Sequence, residues 1–288
     1  MKLVRFGSAG AEQPGLIDAQ GRIRDVSALV SDFSPKTLTP ELLGNIATVD
    51  PTQLPLIRDA TRLGPPVTSV GKFIGIGLNY RDHAMEAGLP IPSEPVIFMK
   101  ASSCIVGSGD SIILPRRSTK TDFEVELGCV IGKPAKYVTP AEALKYVAGY
   151  LVVHDVSERS YQLERGGQWD KGKGCDTFGP IGPWLVTTDE VPDPQALHLW
   201  LDVNGQPMQR GNTGQMIFSC ADLVSYVSEF MTLLPGDIIS TGTPCGVGMS
   251  RTPPAYLKTG DRVDLGITSL GEQHQSVVDE PAAGKKEA

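Results

Sequence analysis

The clearest candidates for chemistry are three carboxylates at alternate positions, Asp122, Glu124 and Glu126. Apolar residues alternate with them, a pattern that predicts a β-strand with all three carboxylates on one face. Carboxylates held side by side repel one another and are costly to remove from water. The face is therefore either open to solvent or bound to a cation, and the local pattern leaves both interpretations open.

A second pair with catalytic spacing is His83 and Glu86. If the segment is helical, residues three apart lie on one face, which is the arrangement of a base oriented by a carboxylate. The alternative is a surface histidine beside a surface glutamate on a short polar helix. The breakers Gly88, Pro90 and Pro92 follow, and they would suit a segment that moves as a lid.

Asp155 ends an apolar strand predicted over residues 148–156. Such a residue is either a turn residue or a third carboxylate within reach of a metal. Two lysines, Lys171 and Lys173, lie in a long polar loop rich in glycine. Loop lysines are usually solvated, so the residues alone do not single out either one.

Composition limits the classes of function. The net charge of -7 and a pI near 5.2 argue against nucleic acid or an anionic membrane as the partner. No apolar run reaches the length of a membrane span, and the N-terminus lacks a signal-peptide pattern. Five scattered cysteines, none spaced as C-x-x-C, indicate reduced thiols and a cytoplasmic protein.

The elements that must position these residues are mostly strands, so we expect an α+β protein that is predominantly β. Short strand candidates and a helix start at Thr39 form a small N-terminal domain over residues 1–70, ending near a Gly-Pro-Pro break. Residues 71–280 form the main catalytic domain, and residues 281–288 a frayed tail.

Four local signals in the main domain are specific. Residues 96–100 read as a strand, and Asn204-Gly205 is a hairpin turn. Ser219 can cap a helix over residues 221–231. Thr139 and Glu142 have the spacing of a capping box that opens a helix through about residue 146.

Six ordered pieces of the sequence resemble the fumarylacetoacetate hydrolase superfamily, in its branch with a single active site. They span about residues 70–280. The pieces are Gly77-Leu78-Asn79-Tyr80-Arg81-Asp82-His83, Asp122-Phe123-Glu124-Val125-Glu126-Leu127, His154-Asp155-Val156-Ser157-Glu158-Arg159, Gly172-Lys173 with Asp176-Thr177-Phe178-Gly179-Pro180, Asn204-Gly205, and Pro235-Gly236-Asp237 through Thr241-Gly242-Thr243-Pro244.

The resemblance implies a site. Its metal ligands would be Glu124, Glu126 and Asp155, whose hard oxygen donors suit Mg²⁺, with Mn²⁺ or Ca²⁺ as alternatives. The family's other site residues map onto this chain as a catalytic group and a group of substrate contacts. The catalytic group is His83, Glu86 and Lys173, and the substrate contacts are Arg159, Gln162 and Thr243.

Two departures from the family pattern affect the local packing around this site. Gly174-Cys175 follows the lysine where Ser/Thr-Phe is usual, and Glu158 replaces a common alanine. Asp122 has no ligand role in the family pattern, and we expect it to support the structure around the site.

The resemblance also implies a reaction and an architecture. The reaction is metal-dependent cleavage of a C–C bond in 2,4-dioxo acids of the acylpyruvate type, giving pyruvate and a carboxylate. Decarboxylation of oxaloacetate or ureidoglycolate-lyase activity could use the same site, and so could a catalytically silent protein that only binds metal. Mixed sheets would be rolled around the metal, and the protein would be a homodimer acting on a small oxo acid. The tail pocket would lie near Arg159, Gln162 and Trp169.

Overall fold

The computed structural model describes residues 1–58 and 61–281, and strands dominate that part of the chain. The strands are β1 Lys2–Phe6, β2 Gln13–Ile17, β3 Ile23–Asp25, β4 Leu63–Gly64, β5 Phe73–Gly77, β6 Val96–Lys100, β7 Ile105–Gly107, β8 Ile112–Leu114, β9 Thr121–Asp122, β10 Val125–Ile131, β11 Val147–His154, β12 Ser157–Glu158, β13 Gly179–Thr187, β14 His198–Val203, β15 Gln206–Asn212, β16 Ile238–Ser240, β17 Arg262–Ile267 and β18 Gly271–Asp279.

The helices are short. They are α1 Pro40–Ala47, α2 Arg81–Glu86, α3 Pro140–Ala143, α4 Arg159–Leu163, α5 Asp170–Lys173 and α6 Cys220–Phe230. Over residues 1–58 and 61–281, no helix is long and apolar enough to cross a membrane. The expected α+β class with a predominance of strands is confirmed.

Two sheets organise the described residues. The larger runs β3-β2-β1-β13-β11-β10-β16-β5-β6, with β4 on β1 and β7 on β13. The smaller runs β15-β14-β17-β18-β8, and β9 pairs with β12 apart from both. Most pairings are antiparallel, but β16–β5, β13–β7 and β18–β8 are parallel, so both sheets are mixed.

The centre of the larger sheet positions the site. Every residue of β10 and β11 is buried, and the apolar run of β11 is typical of a strand that is buried on both faces. Their register pairs Val125 with His154, so the start of β10 lies beside the end of β11. A Cβ at Gly128 would lie 2.6 Å from a methyl carbon of Leu151, which shows how closely the side chains of β11 pack over β10. Glu126 and Asp155 therefore lie at the same end of the paired strands β10 and β11.

The N-terminal strands extend the larger sheet, because Lys2 of β1 pairs with Val186 of β13. The division into domains at residue 70 stays a prediction. Of the tail predicted over residues 281–288, all but the first residue lies outside the described part of the chain.

Most local signals are confirmed. Thr39 caps α1, and Ser219 caps α6 in a reciprocal capping box with Asp222. Asn204 and Gly205 both have positive φ in the β14–β15 turn, as a type I′ hairpin requires.

The capping box at Thr139 is wrong. Its side chain makes no capping hydrogen bond, and Glu142 instead accepts a hydrogen bond from Lys145 at 2.7 Å. Because that carboxylate turns toward solvent and a lysine, it does not reach back to the helix start. The helix is also shorter than predicted, since α3 ends at Ala143 and a 3₁₀ turn, Leu144–Tyr146, follows.

Candidate active site

One cavity of about 350 Å³ collects nearly all of the predicted site residues. Nine site residues were predicted, and Asp155 is the one that does not line the cavity; it is fully buried. The lining members are His83, Glu86, Glu124, Glu126, Arg159, Gln162, Lys173 and Thr243.

The carboxylate run does not form the single strand that was predicted. Strand β9 ends at Asp122 and β10 begins at Val125, so Glu124 lies in an irregular link whose carbonyl accepts the N–H of Asp155 at 2.9 Å. The break lies where the chain passes from pairing with β12 to pairing with β11. The carboxylate of Asp122 accepts the backbone N–H groups of Gly248 at 2.7 Å and Met249 at 3.0 Å. The three carboxylates therefore do not form one face.

A cluster of three carboxylates remains. Ligand oxygens of Glu124, Glu126 and Asp155 lie within 4.8 Å of one another. All three residues are buried, which excludes the solvent-exposed alternative that the sequence left open. Asp122 lies outside the cluster, in agreement with the supporting role expected for it.

Three cations offset the cost of burying these charges. Lys173 Nζ lies 2.6 Å from Glu124 Oε2 and 2.7 Å from Asp155 Oδ2, while Lys100 Nζ lies 2.6 Å from Asp155 Oδ1. Arg159 bridges Glu124 Oε1 at 2.6 Å and Asp122 Oδ2 at 2.8 Å. When all four carboxylates are ionised, they exceed the three cations by one negative charge.

The surroundings shift the pKa values of Glu124 and Glu126 in opposite directions. Burial alone would raise the pKa of Glu124, but the charges of Lys173 and Arg159 outweigh it and hold that pKa well below its usual range. Burial, followed by repulsion from Asp155 and Glu124, raises the pKa of Glu126 well above its usual value. Glu126 is therefore the carboxylate whose charge is least compensated by protein cations.

Glu126 is nevertheless held in place. Its Oε2 accepts hydrogen bonds from the Ser240 hydroxyl at 2.6 Å and from the Gly242 N–H at 3.0 Å. The donor set of the cluster consists of carboxylate oxygens, which suits a hard divalent cation. A divalent ion would also offset the repulsion that, together with burial, raises the pKa of Glu126, so the residues present fit the cation that the family resemblance implied.

The histidine and glutamate of α2 form a pair, as predicted. His83 Nδ1 lies 3.2 Å from Glu86 Oε2, and the N–H of Gly246 lies 2.9 Å from Glu86 Oε1. Burial would raise the pKa of Glu86, but the hydrogen bonds from His83 and Gly246 outweigh it and lower that pKa. An ionised Glu86 orients the ring and favours the proton on Nδ1, which leaves Nε2 as a base.

The lysine is placed by close packing between α4 and α5. Lys173 ends α5 and is buried, not solvated as loop lysines usually are. A Cβ at Gly172 would lie 2.5 Å from the carbonyl oxygen of Glu158 and 2.7 Å from the backbone nitrogen of Gln162. Only glycine permits this approach, which brings Lys173 beside Arg159. Attraction to Asp155 and Glu124 exceeds the effect of burial and raises the pKa of Lys173, so its ammonium stays charged.

The remaining predicted contacts already have protein partners. Arg159 Nη1 donates to Gln162 Oε1 at 3.1 Å. The Thr243 hydroxyl donates to the carbonyl of Val125 at 2.9 Å and accepts from Gln209 Nε2 at 2.8 Å. Arg159 and Thr243 thus stabilise the walls of the cavity that they line.

Sequence reasoning missed Lys100. It is the last residue of β6, and its buried ammonium contacts both Asp155 and the backbone carbonyl of Lys173. The only local signal is a lysine that ends an apolar strand. Nothing nearby in the sequence pairs it with a carboxylate 55 positions away.

Comparison with known proteins gives consistent matches over most of the chain. The sequence profile of the fumarylacetoacetate (FAA) hydrolase C-terminal family matches residues 72–278. A protein of Burkholderia multivorans, provisionally named a hydrolase, is 60% identical over 276 residues, which cover 96% of this chain and 98% of that protein.

Solved structures agree. A fumarylacetoacetate hydrolase from Exiguobacterium antarcticum superposes with a TM-score of 0.87 at 35% identity, covering 97% of this chain and 100% of that one. A maleylpyruvate hydrolase from Sphingobium, in complex with manganese(II) and pyruvate, gives a TM-score of 0.82 at 29% identity, covering 98% and 100%.

Proposed function

Since the chain belongs to the fumarylacetoacetate hydrolase family, we propose that it is a divalent-metal-dependent hydrolase that cleaves a C–C bond in 2,4-dioxo acids of the acylpyruvate type. One observation carries the proposal: two carboxylates of the cluster, Glu124 and Glu126, line the same cavity as the His83–Glu86 pair. A candidate metal site and a candidate base in one cavity suit an attack on a carbonyl next to a bound oxo-acid head.

The cation would be Mg²⁺ or Mn²⁺ held by Glu124, Glu126 and Asp155, and when bound it would supply Lewis-acid polarisation of the 2-oxo acid head. The charge balance supports an anionic head. A divalent ion changes the excess from one negative to one positive charge, which a single substrate carboxylate neutralises. Manganese with pyruvate in the Sphingobium relative is consistent with this choice.

The histidine would act as the general base. With Nδ1–H donated to Glu86, His83 Nε2 takes a proton from water, and the resulting hydroxide attacks the acyl carbonyl. The C–C bond to the pyruvate carbon breaks, and its electron pair remains with the pyruvate fragment as an enolate. The imidazolium of His83 returns its proton to the enolate carbon, which gives pyruvate and restores the base, and the acyl group leaves as a carboxylic acid that ionises to the carboxylate. Lys173 places positive charge near the developing negative charge.

The test is a substrate panel of acetylpyruvate, a 2,4-dioxo-3-deoxy sugar acid, oxaloacetate and ureidoglycolate. Each is assayed for pyruvate, CO₂ and glyoxylate with Mg²⁺, with Mn²⁺ and with excess chelator. Metal-dependent pyruvate release from the dioxo acids supports the proposal. CO₂ from oxaloacetate alone would indicate a decarboxylase, and glyoxylate alone a lyase. Turnover that survives exhaustive metal removal would refute the assignment of the carboxylate cluster.

A silent binding protein is distinguished by the variant His83→Ala and its control His274→Ala, an exposed histidine outside the cavity. Loss of turnover in the first variant, with Mn²⁺ binding retained by titration calorimetry, supports catalysis. No turnover in the unmodified protein on any oxo acid, with metal still bound, would favour the silent alternative.

We also propose a homodimer, as the family resemblance implies. Support comes from the exposed apolar side chains of Tyr137, Phe230 and Leu234. Their segments adjoin, because the Tyr137 N–H donates to the carbonyl of Ser228 at 3.1 Å and Ala135 pairs with Leu233. Sedimentation equilibrium of the protein and of Phe230→Glu tests it. A dimer that Phe230→Glu converts to monomer is the expected result, and a monomer in the unmodified protein would contradict it.

A further inference from the structure

The cavity has a second, apolar part that the proposed chemistry does not use. Its wall begins at the site, where Lys173 Nζ lies 5.1 Å from the centre of the Phe98 ring. That ring packs against Trp169 at 5.7 Å between ring centres. Trp169 in turn lies on Gly77, where a Cβ would come within 2.3 Å of the indole. A continuous aromatic wall therefore leads away from the reacting end of the cavity.

The rim of the cavity is apolar as well. Leu89, Leu163 and Met249 line it from three separate segments, and they are 48%, 46% and 37% exposed. Large apolar side chains grouped around a cavity mouth are a feature of ligand-binding grooves. A tail emerging past the aromatic wall would cover these three side chains.

No cation among the described lining residues is free to receive a charged tail. Arg159 is committed to Asp122, Glu124 and Gln162, and the Lys173 ammonium to Glu124 and Asp155. The His83 ring is paired with Glu86. A carboxylate at the far end of the substrate would lose its hydration against apolar side chains without gaining a cationic partner.

We propose that the acyl group of the substrate is an uncharged alkyl or aryl group larger than methyl, and that Trp169 and Leu163 determine this preference. The inference rests on the proposed hydrolase function and narrows its substrate class. It separates this chain from a maleylpyruvate hydrolase, whose substrate carries a second carboxylate at the acyl end. The chemistry at the head would be the same in both.

The experiment keeps the pyruvate head constant and varies the tail. Acetyl-, butanoyl-, pentanoyl-, hexanoyl- and benzoylpyruvate are compared with succinylpyruvate, whose tail has the reach of pentanoylpyruvate but ends in a carboxylate. We expect kcat/KM to rise about fourfold per buried methylene, and succinylpyruvate to fall at least about tenfold below pentanoylpyruvate. A flat series, or succinylpyruvate turned over as well as pentanoylpyruvate, would overturn the proposal.

Variants connect the preference to the named residues. Trp169→Ala should reduce the ratio of hexanoyl- to acetylpyruvate turnover at least fivefold. Leu163→Lys, which places a cation on the rim, should raise the ratio of succinyl- to pentanoylpyruvate turnover by a similar factor. The matched control is Leu29→Lys, a leucine of similar exposure, 41%, that does not line the cavity. If Leu29→Lys changes that ratio as much as Leu163→Lys, the assignment of the rim is wrong.

A binding measurement separates this inference from the proposed function. Metal-loaded protein is titrated with 2-oxoheptanoate and with 2-oxoheptanedioate, which differ only in the terminal carboxylate. If no dioxo acid releases pyruvate, the hydrolase proposal fails, and this titration still decides the tail preference. Tighter binding of the monoacid supports an apolar tail site, and equal or tighter binding of the diacid refutes it.

Discussion

The buried ammonium of Lys100 provides the sharpest test of the charge balance described above. The variant Lys100→Met keeps most of the side-chain volume and removes the charge. Asp155 Oδ1 then loses its partner at 2.6 Å, and the carbonyl of Lys173 loses a donor. Removing one member of a buried ion pair typically costs about 3–5 kcal/mol. Because Asp155 Oδ2 keeps Lys173 Nζ at 2.7 Å, we expect a loss near the lower end of that range, about 3 kcal/mol.

The assay is urea denaturation followed by circular dichroism, with excess chelator present. A loss of that size shifts the midpoint down by about 1–2 M for a protein with an m-value of about 2–3 kcal/mol/M. The matched control is Lys145→Met, whose ion pair with Glu142 at 2.7 Å is solvent-exposed. We expect that control to lose no more than about 0.5 kcal/mol.

A second arm adds saturating Mn²⁺. A cation bound by the carboxylate cluster would supply positive charge to Asp155, so the difference between Lys100→Met and the unmodified protein should shrink. The reasoning is refuted if Lys100→Met is no less stable than Lys145→Met in chelator. The cluster as a metal site is refuted if Mn²⁺ changes the stability of neither protein.

Three further predictions concern the site. His83→Asn should lower kcat by about 10²–10⁴-fold with Mn²⁺ affinity kept, and equal turnover in steady-state assays would exclude it as the base. Glu124→Gln should weaken Mn²⁺ binding at least about tenfold by calorimetry, whereas the exposed control Glu164→Gln should not change it. In the folded protein, hydrogen bonds lower the pKa of Glu86 below its ordinary value of 4.5. The ionised carboxylate therefore contributes fully to the free energy of unfolding well above pH 4.5, and this contribution is lost as the pH falls through the lowered pKa. Glu86→Gln should therefore flatten the acid side of a plot of denaturation midpoint against pH, and an unchanged slope would contradict this.

Local chemistry explains which parts of the fold the sequence could predict. The turn at Asn204-Gly205 and the caps of α1 and α6 depend on neighbours within three residues, so their signals are complete in the sequence. The strand β11 was also readable, because burial on both faces requires a continuous apolar run. The failed capping box at Thr139 shows the limit of such signals, since an equally local bond to Lys145 competes for Glu142.

The parts that were not predictable depend on contacts between distant segments. The break between β9 and β10 lies where the chain changes its pairing partner from β12 to β11, and Asp122 binds backbone groups more than 120 positions further along the chain. Lys100 meets Asp155 only through the folding of β6 onto the sheet. The positions of the metal-binding candidates came from a resemblance between motifs. Periodicity had left both a solvent-exposed face and a cation site open, and burial in the fold excluded the exposed face.

The loop at residues 243–250 has a consequence for how such a site can change during evolution. Its backbone N–H groups hold Glu86 through Gly246 and Asp122 through Gly248 and Met249. One short segment thus sets the orientation of the base and, through Arg159, the position of a candidate metal ligand. An insertion there would disturb both at once. Among the described residues, those at 90–93 make no hydrogen bond to a site residue. New tail preferences should therefore arise more readily by lengthening or shortening the segment after α2, and this loop should keep its length while its side chains vary.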